Sequence, residues 1–241
     1  MRVVIIMFVL MTSMSSVSVE AGIISTSAKQ TAKYLFKKFG GESLDTITRQ
    51  TARAAAKYGD DCLPLLRQVG PDGFRILERA GNRTPDILRL YRTQGDKALW
   101  IIRDPGKTNL FLRHGDDAAR AMFKHPGMAD NIIRAYGTRG ANAMNAISRQ
   151  NAQRLSRLSA DGTLSRMGRT DEILGVIGKY SDKAMAFIWR HKGALCVAAV
   201  LGTFLNNPEV YINGVKDLIV EGGKEIIAEP LIGNTNWTLI I

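Results

Sequence analysis

The chain has 241 residues, 33 Lys plus Arg against 22 Asp plus Glu, a formal net charge of +11 and 45% hydrophobic residues. This composition lies near that of ordinary globular proteins and excludes wholesale disorder and a multi-span membrane protein. Two cysteines allow at most one disulfide, and three histidines leave little material for a Cys/His metal cluster, so stability must come from packing.

In chain order, Arg2 precedes nine consecutive apolar residues, Val3 to Met11, and a Ser-rich stretch then runs to Ala21. That order of charge, apolar run and small residues predicts a secretory signal peptide over 1–21, cut after Ala21. An uncleaved anchor over Val3 to Val19 and a buried N-terminal helix are the rival readings; the Ser and Thr residues in its second half argue against the anchor. Export would make a Cys62 to Cys196 bridge chemically permissible. The preferred reading is nevertheless a small buried thiol, since Cys62 stands where related segments carry Ala.

Glycines then recur at 59, 70, 81, 95, 106, 115, 127 and 137, a spacing that suggests short helices, each ended by a residue tolerant of the left-handed conformation. Tyr58-Gly59-Asp60-Asp61-Cys62, Gln94-Gly95-Asp96-Lys97-Ala98, His114-Gly115-Asp116-Asp117-Ala118 and Tyr180-Ser181-Asp182-Lys183-Ala184 are variants of one phrase. Asp60, Asp96, Asp116 and Asp182 are the expected N-caps, their carboxylates accepting first-turn amides. Gly70, Gly106, Gly127 and Gly193 are the expected ends of the same helices. Arg67, Arg103, Lys124 and Arg190 fall near those ends, opposing the helix dipole.

Between the phrases, Ile87, Leu88, Leu90 and Tyr91, and Ile132, Ile133 and Tyr136, have helical spacing, and Thr84-Pro85 opens a helix with Thr as cap. Helices of about ten residues are marginal alone, so they need a common core. The expected fold is all-α: an array of short helices, α-solenoid-like or a compact α superhelix. Thr138 to Met144 reads as a degenerate unit, Arg149 to Gly162 as a polar outer helix or irregular link, and Thr170-Asp171-Glu172 as the start of a further helix. Over roughly 52–217, these Tyr-Gly-Asp-Asp-Ala-type units followed by an apolar segment resemble uncharacterised exported bacterial helical-repeat proteins, with departures at Ser181 and Gly140. The resemblance implies helix caps and lends no active-site residues.

Charge divides the mature chain into a basic helical-repeat region, 22–160, with 24 Lys plus Arg against 12 Asp plus Glu, and a C-terminal helical region, 161–241, with 8 against 9. The basic part can attract anionic polymers, acidic lipid or nucleic acid, although export makes nucleic acid less accessible and not the expected partner. Arg75 with Arg79, and Arg89 with Arg92, are spaced to share helix faces and form the candidate anionic-partner surface; a solvated face is the plainer reading. Ala194 to Leu205 is uncharged, too short for a bilayer span, and fits a buried core helix better than a membrane-inserted one. Trp237 to Ile241 is apolar as well and could dip into a membrane surface.

Gly106-Lys107-Thr108 lacks the earlier glycine of a phosphate-binding loop, Ile101 standing in its place. His114, Asp116 and Asp117 could offer metal ligands, but capping accounts for them, and His125 and His191 sit where polar capping of helix ends is expected. No Gly-x-Ser-x-Gly, His-Glu-x-x-His or Cys-x-x-Cys pattern occurs. No catalytic residue, metal or cofactor is therefore expected. The leading expectation is an exported non-enzymatic scaffold of the periplasm or cell envelope that binds a macromolecule, an anionic envelope component or a protein. The alternatives are a basic module attached to the membrane through the C-terminal apolar segment and, behind both, an exported hydrolase.

Overall fold

The computed structural model describes residues 25–214, which are helical or in turns, with no strand among the described residues. The expected signal peptide and the terminal apolar pentapeptide lie outside them. Packing divides the chain after Arg79 into two units. The composition boundary at 160 therefore marks a change of charge and not a division of the packing.

The first unit is built from α1 (Thr26–Phe39), α2 (Leu44–Tyr58), a 3-10 turn (Asp60–Cys62), α3 (Leu63–Val69) and α4 (Asp72–Ala80). Two serines start the first pair: Ser25 Oγ accepts the Ala28 amide at 3.1 Å and Ser43 Oγ the Thr46 amide at 3.2 Å. α1 packs on α2 and on α3, burying Ala28, Ala32, Leu35, Ile47, Leu65 and Leu66. Cys62 is a free, buried thiol whose pKa is pushed up to about 11 by burial, which makes it inert. Gly70 ends α3 as expected, at φ 80°, its amide donating to Leu66 O; a Cβ there would lie 2.9 Å from the Phe39 ring.

The second unit runs through α5 (Thr84–Gln94), α6 (Asp96–Ile102), α7 (Pro105–Lys124), α8 (Ala129–Ala146), α9 (Arg149–Ala160), α10 (Thr163–Met167), α11 (Thr170–His191), α12 (Ala198–Asn206) and α13 (Pro208–Ile212), with 3-10 turns at Gly81–Arg83 and Ala194–Cys196. α8 is central, packing on α7, α9 and α11. Phe111, Met122, Ile132, Ile133, Leu155, Ile173, Ile177 and Ile188 are buried. Arg149 to Ala160 is a regular helix with a core face of Ala152, Leu155 and Leu158, so its Arg and Ser residues are its outer side and not a link. Thr84 is the first helical residue and not the cap; its hydroxyl donates to Gly81 O at 2.8 Å.

The repeated phrase is a chain break within or between helices. Gly95, Gly115, Gly137 and Ser181 have φ of 55°, 71°, 59° and 57° with ψ of −135°, −155°, −140° and −134°. One geometry thus recurs at four places, three of them mid-α7, mid-α8 and mid-α11, and the break at Gly137 precedes the 138–144 segment, which has no aspartate. That region of backbone space belongs almost entirely to glycine, so Ser181 is strained there.

This geometry corrects the capping expectation. Gly59 and Gly95 occupy the cap positions, and no side-chain hydrogen bond caps either helix start, so Asp60 and Asp96 are first-turn residues that favour those starts through the dipole and not as caps. Three of the four carboxylates reach neighbouring segments. Asp60 Oδ1 accepts the Ser25 hydroxyl at 3.3 Å, and Asp116 Oδ2 accepts Arg89 Nη1 at 2.5 Å, tying α7 to α5. Asp182 Oδ1 accepts the Ser148 amide at 2.8 Å and Asn151 Nδ2 at 2.7 Å, so it caps the start of α9 from α11.

Three of the expected helix ends are also revised. Gly106 lies in the first turn of α7, its amide held by the capping Asp104 at 2.8 Å, because Pro105 starts a new helix there. Gly127, at φ 76°, lies in the turn between α7 and α8, two residues beyond the cap His125. Gly193 has helical dihedrals, φ −67° and ψ −47°, and leads straight into a 3-10 turn, so no left-handed stop exists there.

The uncharged segment is likewise not one core helix. It forms the 3-10 turn, an extended residue at Val197, then α12. Leu195, Leu201 and Phe204 are buried, Phe204 stacking on Phe187 at 5.1 Å, whereas Cys196, Ala198 and Ala199 are exposed and Val197 is 53% exposed. No helix of the described residues is long and apolar enough to cross a membrane.

Candidate functional site

The arginines singled out from sequence are mostly engaged. Arg75 donates to Asp72 at 2.8 Å, three residues away, and Arg89 pairs with Asp86 and with Asp116. The Asp86 carboxyl is held below its ordinary pKa by hydrogen bonds from Arg83 and Arg89. Arg79 and Arg92 are exposed. Arg75 and Arg79 belong to the first unit and Arg89 and Arg92 to the second.

Availability of charge is greater on the first two helices. Lys29, Lys33 and Lys37 on α1, and Arg49, Arg53 and Lys57 on α2, recur at four-residue steps and are all exposed. Among the described residues none of these six is in an ion pair. The steps are visible in the sequence; the useful signal is that the segment from Ser25 to Gly41 contains no acidic residue.

α2 and α4 border a cleft of about 510 Å3. Arg53 and Lys57, one turn apart on α2, and Arg75 on α4 supply its positive charge; Glu42 and Glu78 are its acids. Gln50 Nε2 donates to Glu42 Oε2 at 3.2 Å, which orients that carboxylate. Ala54, Phe74 and Leu77 line it with apolar surface. The Tyr58 hydroxyl, also from a lining residue, is buried without a hydrogen-bond partner, and its ring carries the Lys57 ammonium at 5.1 Å. These groups suit an anion-bearing chain with some apolar character: guanidinium and ammonium for the charges, ring and aliphatic surface for the rest. The cleft lining contains no His, Cys, Ser or Thr to act as nucleophile or near-neutral base.

In the second unit, Lys183, Phe187, Arg190, His191 and Tyr211 line a cleft of about 500 Å3 whose aromatic members hold α11 against α13. His125 is buried at the end of α7, and its Nε2–H is shared between Met144 O at 3.0 Å and Ile147 O at 3.1 Å, which closes the end of α8. Burial lowers its pKa below the ordinary imidazole value, against the two carbonyls, with Lys124 and Arg149 lowering it further. His114 lies near the Thr138 hydroxyl at 3.3 Å and against Gly137, beside the paired breaks of α7 and α8. Among the described residues no three His, Cys, Asp or Glu side chains gather in a metal-binding group.

Comparison with protein families, with curated proteins and with solved structures gives no match for this chain.

Proposed function

We propose that this chain is an exported, non-enzymatic helical-repeat scaffold of the cell envelope that binds an anionic macromolecule through the first unit. The observation that carries the reading is the set of cations unpaired among the described residues, Arg53 and Lys57 at its centre, beside a cleft lined in part by Ala54, Phe74 and Leu77. Unpaired surface cations contribute little to folding, and their attraction for a polyanion is long-ranged and salt-sensitive. The signal-like sequence over 1–21 and the resemblance to exported repeat proteins support the location.

Two measurements test it. Binding of long-chain polyphosphate to the full chain is expected to weaken steeply with salt and to fall at least about tenfold in the Arg53→Glu, Lys57→Glu variant, as removal of two phosphate-facing cations requires. Equal binding by the variant would refute the site. Mass measurement of the protein recovered from the envelope fraction of expressing bacteria should show loss of residues 1–21; an intact chain in the cytosol would refute export.

A second reading, attachment to the membrane through 194–205, draws on the exposed apolar surface at Val197, Ala198 and Ala199. Carbonate extraction discriminates: a chain held only by charge is released, whereas one inserted through that segment stays with the membrane.

A further inference from the structure

α1 presents two kinds of chemistry that a freely solvated helix has no need to combine. Its inner side buries Ala28, Thr31, Ala32 and Leu35. Opposite, Lys29, Lys33 and Lys37 form a ridge about 12 Å long at the helical rise. Two large side chains left in water flank it, Tyr34 at 41% exposed and Phe36 at 43%, while Phe39, 40% exposed, lies toward the inner side with its ring against Gly70. They are not loose. Lys38 Nζ donates to the Tyr34 hydroxyl at 2.9 Å and lies 5.3 Å from the centroids of both the Tyr34 and Phe39 rings, so one ammonium links the two aromatic edges.

A soluble polyanion would engage the lysine ridge and leave the rings wet. A bilayer surface engages both, with ammonium groups at the phosphates, lysine stems along the apolar boundary and aromatic rings at headgroup depth. We propose that the outward face of α1 docks on a bilayer surface carrying anionic phospholipid. This deepens the scaffold reading by naming a partner for the first unit, and it uses a helix face that does not line the α2–α4 cleft. The contact is peripheral. Each lysine near an anionic surface contributes a several-fold gain, so Lys29, Lys33 and Lys37 together supply on the order of a hundredfold in partitioning, screened by salt.

The test is co-sedimentation of the full chain with vesicles of phosphatidylcholine alone or with about one-third phosphatidylglycerol, with polyphosphate binding measured in parallel. Wild type is expected to sediment with the anionic vesicles at least about tenfold more strongly than with the neutral ones. The Lys29→Glu, Lys33→Glu, Lys37→Glu variant should lose that preference. A Lys→Gln version at the same positions, checked for unchanged helix content by circular dichroism, should lose most of it. Tyr34→Ser with Phe36→Ser should weaken vesicle binding several-fold and leave polyphosphate binding unchanged. Equal sedimentation with both vesicle types, or full binding by the charge variants, would overturn the proposal. Polyphosphate binding without vesicle binding overturns the bilayer and leaves the scaffold reading standing; failure to bind either removes both.

Discussion

Residues 25–79 and 80–214 have nearly the same ratio of basic to acidic side chains, 10 to 6 and 20 to 11. They use them differently. In the second unit Arg83, Arg89, Lys107, Arg120, Arg139 and Arg169 are each paired with an acid, and Lys107 lies between Asp104 and Asp130 and over the Trp100 ring at 4.7 Å. In the first, two helices leave six cations in solvent. Composition alone would assign both units the same affinity for anions. In 80–214 the pairs Arg89–Asp116, Lys107–Asp130 and Arg139–Asp171 join one helix to another, whereas among the described residues the six cations of α1 and α2 are in no ion pair and are available to a partner.

If that contrast is right, polar substitutions in the second unit act on stability and those in the first act on binding. The largest stability effect is expected for His125→Ala, which strands the carbonyls of Met144 and Ile147 and opens a cavity, costing about 3 kcal/mol by urea unfolding. His125 also sets a pH dependence. Its folded pKa is depressed, so at neutral pH both folded and unfolded chains carry it uncharged. As pH falls below about 6.5, the unfolded chain takes up a proton that the folded one resists, and stability should decline. The His125 contribution to that decline should vanish in the Ala variant, while the part due to His114, also depressed by burial, should remain.

Next in size, Asp182→Ala should cost about 2 kcal/mol, because it removes the acceptor for both the Ser148 amide and the part-buried Asn151 amide. Asp182→Asn should recover part of that loss. Ser181→Gly should raise stability by about 1 kcal/mol or more through relief of positive-φ strain, and Gly115→Ala should lower it by a similar amount. If both left the urea midpoint unchanged, the common break geometry would have no energetic weight. Smallest of all, Arg53→Glu with Lys57→Glu should change unfolding free energy by less than about 0.5 kcal/mol while abolishing most polyphosphate binding. A marked loss of stability in that variant would break the contrast between the units.

The helical architecture and its punctuation could be read from glycine spacing and apolar periodicity because both depend on local backbone preference. Gly59, Gly95, Gly115 and Gly137 are each where a break was expected. The role of the aspartates could not be read in this way. A residue at positive φ takes the cap position, and the carboxylate that follows is free to reach a partner many residues away, as Asp116 does to Arg89 and Asp182 to Ser148. The 194–205 segment misled because uniform apolarity carries no register; only the fold distinguishes buried Leu201 from exposed Val197. The pairing of Arg75 with Asp72 was in the sequence at three-residue spacing, and the binding candidates lay on α1, which has no acid, and α2, whose one acid is Asp45.

The bond from Asp182 to the start of α9 sets an order of maturation. A ribosome delivers residues 148–160 well before residue 182, so the opening turn of that helix must wait for a clasp that arrives later. Nascent chains stopped before residue 182 should therefore leave 148–151 open to amide exchange and proteolysis, and chains extended just past it should close.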